Sequence, residues 1–77
     1  MPTAYILLCC DLGSENDVLQ SIKQIEEVEE VNRVFGVYDI IVKLSSDNMD
    51  KLKEIITMRV RNIEKVRSAL TIIKSEV

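Results

Sequence analysis

Hydrophobic and polar positions change their spacing several times along the chain, and each change marks the boundary of a predicted element. The apolar run Thr3 to Cys10 is closed by Asp11-Leu12-Gly13, which predicts a buried strand followed by a turn. Ser14 with Asp17 has the pattern of a capping box, and apolar residues then recur at helical spacing. These patterns predict a first strand from Thr3 to Cys10 and a first helix from Glu15 to Glu27.

Two further strands are expected around a glycine. Regularly spaced valines lead from Val28 into Phe35, and Gly36 begins a tight turn into the apolar run Ile40 to Leu44. Segments rich in β-branched and aromatic residues on both sides of a turn are typical of paired strands. The sequence therefore predicts an antiparallel hairpin made of strands two and three.

The rest of the chain predicts a second helix and a last strand. A polar residue at positions 45–47 can cap a segment in which apolar residues recur at helical spacing as far as Ile63. The candidate caps are Ser45, Ser46 and Asp47. The mostly apolar segment Val66 to Lys74 then predicts strand four.

The two halves of the chain resemble each other. Ile25-Glu26-Glu27-Val28 and Ile63-Glu64-Lys65-Val66 each lie at a helix-to-strand junction, at corresponding points of the predicted order βαββαβ. Two βαβ halves of this kind form a ferredoxin-like α+β sandwich. We therefore expect a single domain over residues 1–77, with a four-stranded antiparallel sheet and two helices on one face.

The predicted strands do not alternate between apolar and polar residues. An antiparallel sheet whose second face meets water shows such alternation. Here Ile6 to Cys9, Ile40 to Val42 and Leu70 to Ile73 are almost continuously apolar. A homodimer in which two sheets pack face to face in a barrel-like arrangement accounts for the second apolar face. The alternative is a monomer with a modest exposed apolar patch. If the dimer forms, its sheet edges and hairpin remain free for contacts between dimers.

Charge and hydropathy exclude several classes of partner. A formal net charge of −3 at pH 7 disfavours binding to nucleic-acid phosphates. The apolar run near the start is too short to span a bilayer and has no positively charged residue before it. We expect a cytoplasmic domain without direct nucleic-acid or membrane contacts. The acidic residues between Glu26 and Glu30 are interpreted as solvated surface, with contact to a basic partner as the alternative.

The chain offers few residues for catalysis or metal binding. It has no His, and its two cysteines, Cys9 and Cys10, are adjacent, so on a strand their side chains point to opposite faces. The usual nitrogen and sulfur ligand sets for zinc or copper cannot be assembled from these residues. We therefore predict no catalytic residue, no metal site and no cofactor, and we interpret both cysteines as small buried hydrophobic residues.

The hairpin turn is the candidate binding site. Gly36 permits positive φ, so Val37, Tyr38 and Asp39 can present main-chain groups and a carboxylate together at a strand edge. The alternative interpretation is structural. In that case Tyr38 fills the hairpin and Asp39 accepts main-chain hydrogen bonds.

Two segments of the chain, Val31 to Lys43 and Ile63 to Thr71, resemble the ligand-binding (RAM) domain of the Lrp/AsnC, or feast/famine, family of transcriptional regulators. The resemblance covers nearly the whole chain. It implies a βαββαβ fold that dimerises through its sheets, often forms octamers of four dimers, and holds amino-acid effectors where dimers meet. Lys65 departs from the family pattern, which commonly has glycine at this point.

The resemblance also implies a set of effector-binding residues in the hairpin turn and the last strand. These are Gly36, Val37, Tyr38, Asp39, Ser68 and Thr71. Asp39 can receive the α-ammonium group of an amino acid, while turn amides and hydroxyl groups can hold its carboxylate. Ala69 and Leu70 replace more polar residues of a typical last strand in the family.

The implied function is a stand-alone module for amino-acid sensing and oligomerisation in transcriptional regulation. The chain opens directly into strand one, where a full regulator has a helix-turn-helix domain, so we expect no direct DNA binding. The alternative is an interaction-only subunit that forms mixed oligomers with full-length Lrp/AsnC regulators. A small enzyme of the dimeric ferredoxin-like type is disfavoured because the predicted core is aliphatic.

Overall fold

The computed structural model describes residues 1–74. Its elements are β1 (Thr3–Cys10), α1 (Glu15–Lys23), β2 (Val28–Arg33), β3 (Ile40–Ser45), α2 (Met49–Ile55), a π-helical segment (Ile56–Val60) and β4 (Val66–Lys74). The order βαββαβ is the predicted one. The bounds of β1 and β4 also agree with the prediction, because each is an apolar run that ends in polar or charged residues.

The four strands form one sheet in the order β2-β3-β1-β4, and all neighbouring strands are antiparallel. The register places Leu7 of β1 opposite Ile41 of β3 on one side and opposite Leu70 of β4 on the other. Strands β1 and β3 are therefore central, and β2 and β4 are the edges. This arrangement confirms the ferredoxin-like α+β fold.

The core lies between one sheet face and the two helices. Alternate residues of β1 and β3 are buried against residues of α1, α2 and the π segment, as the period of two in strands requires. The largest fully buried side chains are Ile6, Leu8, Ile22, Ile40, Leu44, Leu52, Val18, Val42 and Val60. Full burial of each such side chain contributes roughly 1.5–3 kcal/mol, so this single layer supplies most of the driving force for folding.

The opposite sheet face, here called the open face, is not covered by the helices. It carries a stripe of apolar side chains in which Tyr5 lies beside Ile72, and Leu7 lies between Ile41 and Leu70. Leu70 and Ile72 are 45% and 51% exposed, respectively. The second apolar face predicted from the strands is therefore present on β1, β3 and β4.

The first helix is shorter than predicted. It ends at Lys23, with Gln24 as its C-cap, rather than at Glu27. The main-chain carbonyl of Glu27 accepts a hydrogen bond from the amide of Ser45, at 3.2 Å, and this draws the segment into the sheet edge. The amides of Gln24 and Ile25 donate to carbonyls three residues back, those of Ser21 and Ile22, which is the tighter turn common at a helix end.

The capping interactions predicted for the two helices are wrong. Ser14 stands at the start of α1, but it donates its hydroxyl to the carbonyl of Asp11 and makes no side-chain capping bond among the described residues. The second helix is capped by Asn48, whose side chain accepts from the amide of Lys51 at 2.8 Å. Of the three candidates proposed for that cap, Ser45 belongs to β3, and Ser46 and Asp47 lie before the observed cap.

The second helix changes its winding before it ends. The amide of Arg61 donates to the carbonyl of Ile56 at 2.9 Å, which is the i to i−5 pattern of a π turn. The helical stretch ends at Val60 rather than near Ile63. Ile56 and Val60, at the two ends of the π segment, are both buried.

Lys65 has the backbone conformation that glycine usually takes, with φ of +79°. Its carbonyl accepts the amide of Asp11 at 2.9 Å, and its Nζ lies 3.2 Å from Oδ2 of Asp17. Lys65 thus ties the turn before β4 to the turn after β1 and to α1. A side chain at positive φ is strained, so substitutions of Lys65 can measure the cost of this backbone conformation in unfolding free energy.

We expect Lys65→Val to lower the free energy of unfolding by about 1–2 kcal/mol, because a β-branched side chain fits poorly at positive φ. Lys65→Asn also loses the exposed ion pair to Asp17, yet asparagine tolerates this conformation, so its cost should be below about 0.5 kcal/mol. Urea denaturation of the two variants and the parent measures the difference. Equal losses for both variants would assign the effect to the ion pair instead.

The hairpin loop as candidate functional site

The connection between β2 and β3 is longer than the tight turn predicted from Gly36. It is a loop over residues 34–39, closed by a hydrogen bond from the amide of Val34 to the carbonyl of Asp39 at 2.9 Å. Gly36 has φ of +135°, and no described atom lies within 4 Å of where its Cβ would be. Glycine is therefore needed here for its backbone conformation and not for space.

Asp39 fastens this loop to the end of β1. Pairing between β1 and β3 stops at Leu8 opposite Ile40, and the Asp39 amide donates to the carbonyl of Leu8 at 2.8 Å. The amide of Cys10, two residues further along β1, then has no strand residue of β3 to pair with. Oδ2 of Asp39 accepts this amide at 2.9 Å, so a side-chain carboxylate continues the ladder by one bond.

The two cysteines also contact the loop. Cys9 lies on the open face and donates its thiol to the carbonyl of Val37 at 3.3 Å. Cys10 is buried, and its Sγ lies 3.8 Å from Oδ2 of Asp39. The loop is thus held on β1 by the Leu8 carbonyl, the Cys10 amide and the thiols of both cysteines.

Burial raises the pKa of the Cys10 thiol above its ordinary value. A hydrogen bond with Ser14 acts in the opposite direction, while the negative charge of Asp39 raises the pKa further. The thiol therefore stays protonated at neutral pH. A protonated thiol is a weak donor that can face the carboxylate, whereas a thiolate would repel it.

The end of the sheet at which the loop lies is rich in exposed apolar side chains. Phe35 and Val37 in the loop are 96% and 85% exposed, and Leu12, which follows β1, is 97% exposed. Tyr38, by contrast, is half-buried. A carboxylate, strand-edge main-chain groups and apolar side chains therefore occur together in one small region.

The structure brings five of the six predicted site residues into this region. Gly36, Val37, Tyr38 and Asp39 form the loop, and Ser68 lies opposite Cys9 in the register of β1 and β4. Thr71 is not with them, because it lies opposite the fully buried Ile6 on the helix-facing side of β4. Its Oγ1 is buried without a hydrogen-bond partner among the described residues.

Sequence reasoning missed the part played by the cysteines. It interpreted Cys9 and Cys10 as small buried hydrophobic residues, whereas Cys9 is only partly buried and both residues bind the loop. The alternation of a strand does predict that one of them faces the open side of the sheet. Their contacts with the loop depend on strand register, which no local pattern in the sequence specifies.

Two other classes of site find no support in the described part of the chain. Within residues 1–74, no three His, Cys, Asp or Glu side chains are grouped so that they could hold a metal ion. None of the helices in that range is long and apolar enough to cross a membrane.

Comparisons with known proteins agree with this fold. The family model of the Lrp/AsnC ligand-binding domain matches residues 3–76. No curated protein sequence matches the chain significantly. Among solved structures, FFRP-DM1 is similar with 33% identity and a TM-score of 0.93, and the match covers 97% of this chain and all of that one.

Two further structures extend the comparison. The hypothetical protein PHS023 from Pyrococcus horikoshii has 33% identity and a TM-score of 0.91, with 97% of this chain and 90% of that chain covered. The transcriptional regulator NMB0573 from Neisseria meningitidis, solved as a complex with L-Met, has 14% identity and a TM-score of 0.85. That match covers 97% of this chain and 50% of the regulator, and it shows likeness of fold alone. By its family-model match, this chain belongs to the Lrp/AsnC ligand-binding domain family.

Proposed function

We propose that this domain binds an amino-acid effector at the hairpin loop and forms oligomers through its open face, as a sensing module of transcriptional regulation that does not itself contact DNA. The observation that carries the proposal is the match of the ligand-binding family model to residues 3–76. Domains of this family are oligomeric and bind amino-acid effectors. The net charge of −3 supports a role without phosphate contacts.

Asp39 is the residue proposed to select the ammonium group of the effector. Its Oδ2 is used by the Cys10 amide, which fixes the direction of the carboxylate and lowers the entropic cost of binding. An ionised carboxylate has about four acceptor sites, so the bond to Cys10 leaves capacity for a charged donor. Main-chain amides of the loop and the Ser68 hydroxyl can then hold the carboxylate of the same amino acid.

The side chain of the effector is proposed to contact exposed apolar residues around the loop. Phe35 and Val37 offer such surface, and the complex of the Neisseria regulator contains L-Met. Apolar amino acids are therefore the first class to test. Thr71 does not enter the proposed site, because its hydroxyl lies on the helix-facing side of the sheet.

The binding experiment is a thermal-shift screen of the purified protein against the twenty amino acids, with light scattering on the same samples. We expect at least one apolar amino acid to raise Tm, and Asp39→Asn to abolish the rise, because it removes the charge that pairs with the ammonium group. The amide oxygen of Asn can still accept from Cys10, so unfolding free energy should fall by less than about 1 kcal/mol.

Two controls make this result specific. Asp39→Ala removes the acceptor of the Cys10 amide and should cost about 1–3 kcal/mol of stability. Glu54→Gln removes an exposed carboxylate on α2, away from the loop, and should leave the ligand response unchanged. An unaltered ligand response in Asp39→Asn would show that Asp39 has only its structural role.

The open face is proposed to pack against the open face of a second copy. Its stripe of Tyr5, Leu7, Ile41, Leu70 and Ile72 is apolar, and each residue is only partly covered within one chain. Contiguous apolar surface of this kind is typical of an interface. Homodimerisation is thus the proposed first step of assembly, and larger assemblies of dimers would use the ends of the sheet.

We expect Leu70→Glu to convert the dimer to a monomer at micromolar concentration, because it places an unpaired charge in an apolar contact at a cost of about 2–4 kcal/mol. Met58→Glu is the matched control, since Met58 is exposed on the helix side of the domain. Size-exclusion chromatography with light scattering reports the mass of each variant. A parent protein that runs as a monomer would refute the proposed interface.

The alternative function is that of an interaction-only subunit that forms mixed oligomers with longer relatives. The exposed Leu12, Phe35 and Val37 favour it, because apolar residues at one end of the sheet suit a protein contact as well as a ligand. Co-purification with a full-length Lrp/AsnC regulator tests this function. If mixed oligomers form and no amino acid changes Tm, the interaction-only function replaces the sensing function.

A further inference from the structure

A β-bulge lies where β4 passes the end of β1, beside the candidate effector site. In the register of β1 and β4, Ser68 lies opposite Cys9 and Val66 lies opposite Cys10. Arg67, between them in sequence, has no partner on β1. Bulges are frequent next to functional sites, where they redirect a side chain. The hairpin loop contacts the same two cysteines, so the bulge brings a cationic residue to the loop end of the sheet.

The guanidinium of Arg67 is held at this end by a weak ion pair. Its Nε lies 3.9 Å from Oδ1 of Asp11, the residue that follows β1, and the two side chains are 71% and 58% exposed. This separation is too long for a hydrogen bond, so Asp11 does not occupy the fork of guanidinium donors. Exposed ion pairs contribute little to stability. The carboxylate of a ligand can therefore replace Asp11 at small cost.

The two charges needed to hold an amino acid flank the end of β1. Asp39 lies on the β3 side, where its Oδ2 accepts the Cys10 amide, and Arg67 lies on the β4 side. Neighbouring strands are about 4.8 Å apart, so β3 and β4 are separated by roughly 10 Å across β1. The long, flexible side chain of Arg67 can extend into this interval. The ammonium and carboxylate groups of one small molecule can then be bound together.

We propose that Arg67 binds the α-carboxylate of the effector, an inference that rests on the proposed function of the hairpin loop. A guanidinium forms two parallel hydrogen bonds with a carboxylate, which the hydroxyl of Ser68 cannot do. Ser68, next to Arg67, adds a single further donor. On binding, Arg67 exchanges the carboxylate of Asp11 for that of the effector. Asp11 thus competes with the ligand and lowers the affinity of the site.

This competition gives the two members of the ion pair opposite effects on binding. Arg67→Gln removes the group that binds the carboxylate, so the affinity for the effector should fall. Asp11→Asn removes the competing carboxylate and leaves Arg67 in place, so the affinity should rise. An ion pair with only a structural role would behave differently, because loss of either partner would then have the same effect.

The test is isothermal titration calorimetry at about pH 6 with L-Met, L-Leu and their carboxamides, which keep the ammonium group but have no carboxylate. We expect the parent to bind at least one of the two amino acids, and its carboxamide about tenfold more weakly. Arg67→Gln should weaken binding of the amino acid by a similar factor and leave binding of the carboxamide unchanged. Asp11→Asn should strengthen binding of the amino acid by about two- to fivefold.

Arg33→Gln is the matched control for the loss of positive charge. Arg33 belongs to β2, which is separated from β1 by β3, so this variant should change the affinity by less than about twofold. Urea denaturation of the free proteins is the control for structure. Arg67→Gln and Asp11→Asn should both unfold close to the parent midpoint, because their ion pair is exposed.

Four results would overturn the inference. If Arg67→Gln still distinguishes the amino acid from its carboxamide as the parent does, Arg67 does not bind the carboxylate; the hairpin site would still stand if Asp39→Asn abolishes binding. Equal losses in Arg67→Gln and Arg33→Gln would assign the effect to net charge. Lower affinity in Asp11→Asn would show that the ion pair supports binding instead of competing with it. If the parent binds neither L-Met nor L-Leu, the inference fails together with the proposed apolar class of effector.

Discussion

The hydrogen bond between the amide of Cys10 and the carboxylate of Asp39 is the interaction on which the candidate effector site depends. It exists because β1 extends beyond the start of β3, so the Cys10 amide has no main-chain acceptor on β3. A side chain from the loop supplies that acceptor. The carboxylate is thereby held at a strand end, next to a thiol whose pKa is raised by burial. The conformation of the loop and the hydrogen bonding at the end of β1 therefore depend on each other.

The domain has a different chemistry on each side of its sheet. On the helix side, nearly every inward position of β1 and β3 is filled by an aliphatic side chain with almost no exposure. On the open side, a stripe of apolar residues remains partly uncovered, flanked by Asn32 and Lys43 on the β2 and β3 side. A chain of 77 residues buries a comparatively small fraction of its surface when it folds. Covering the apolar stripe with a partner adds buried apolar surface and therefore stability.

Much of the fold can be predicted from the sequence, because continuous apolar runs bounded by turn residues specify β1 and β4. The end of α1 cannot, since Glu26 and Glu27 suit a helix, while the bond from Ser45 that holds Glu27 at the sheet joins residues distant in sequence. For the same reason the sequence indicates the hairpin as a site but does not indicate its link to Cys10. Family resemblance groups Thr71 with Ser68, although their odd separation places them on opposite sheet faces.

The π segment resolves a conflict in the sequence of the second helix. Leu52 and Ile55 are buried on the core-facing side of α2. If the α-helix continued without interruption, the next residue on that side would be Arg59. The wider π turn accommodates one additional residue and rotates the next part of the helix by about 100°. Val60 then faces the sheet, and the guanidinium of Arg59 stays in water. The π turn therefore brings an apolar residue back to the core-facing side of the helix and keeps a cationic side chain out of the core.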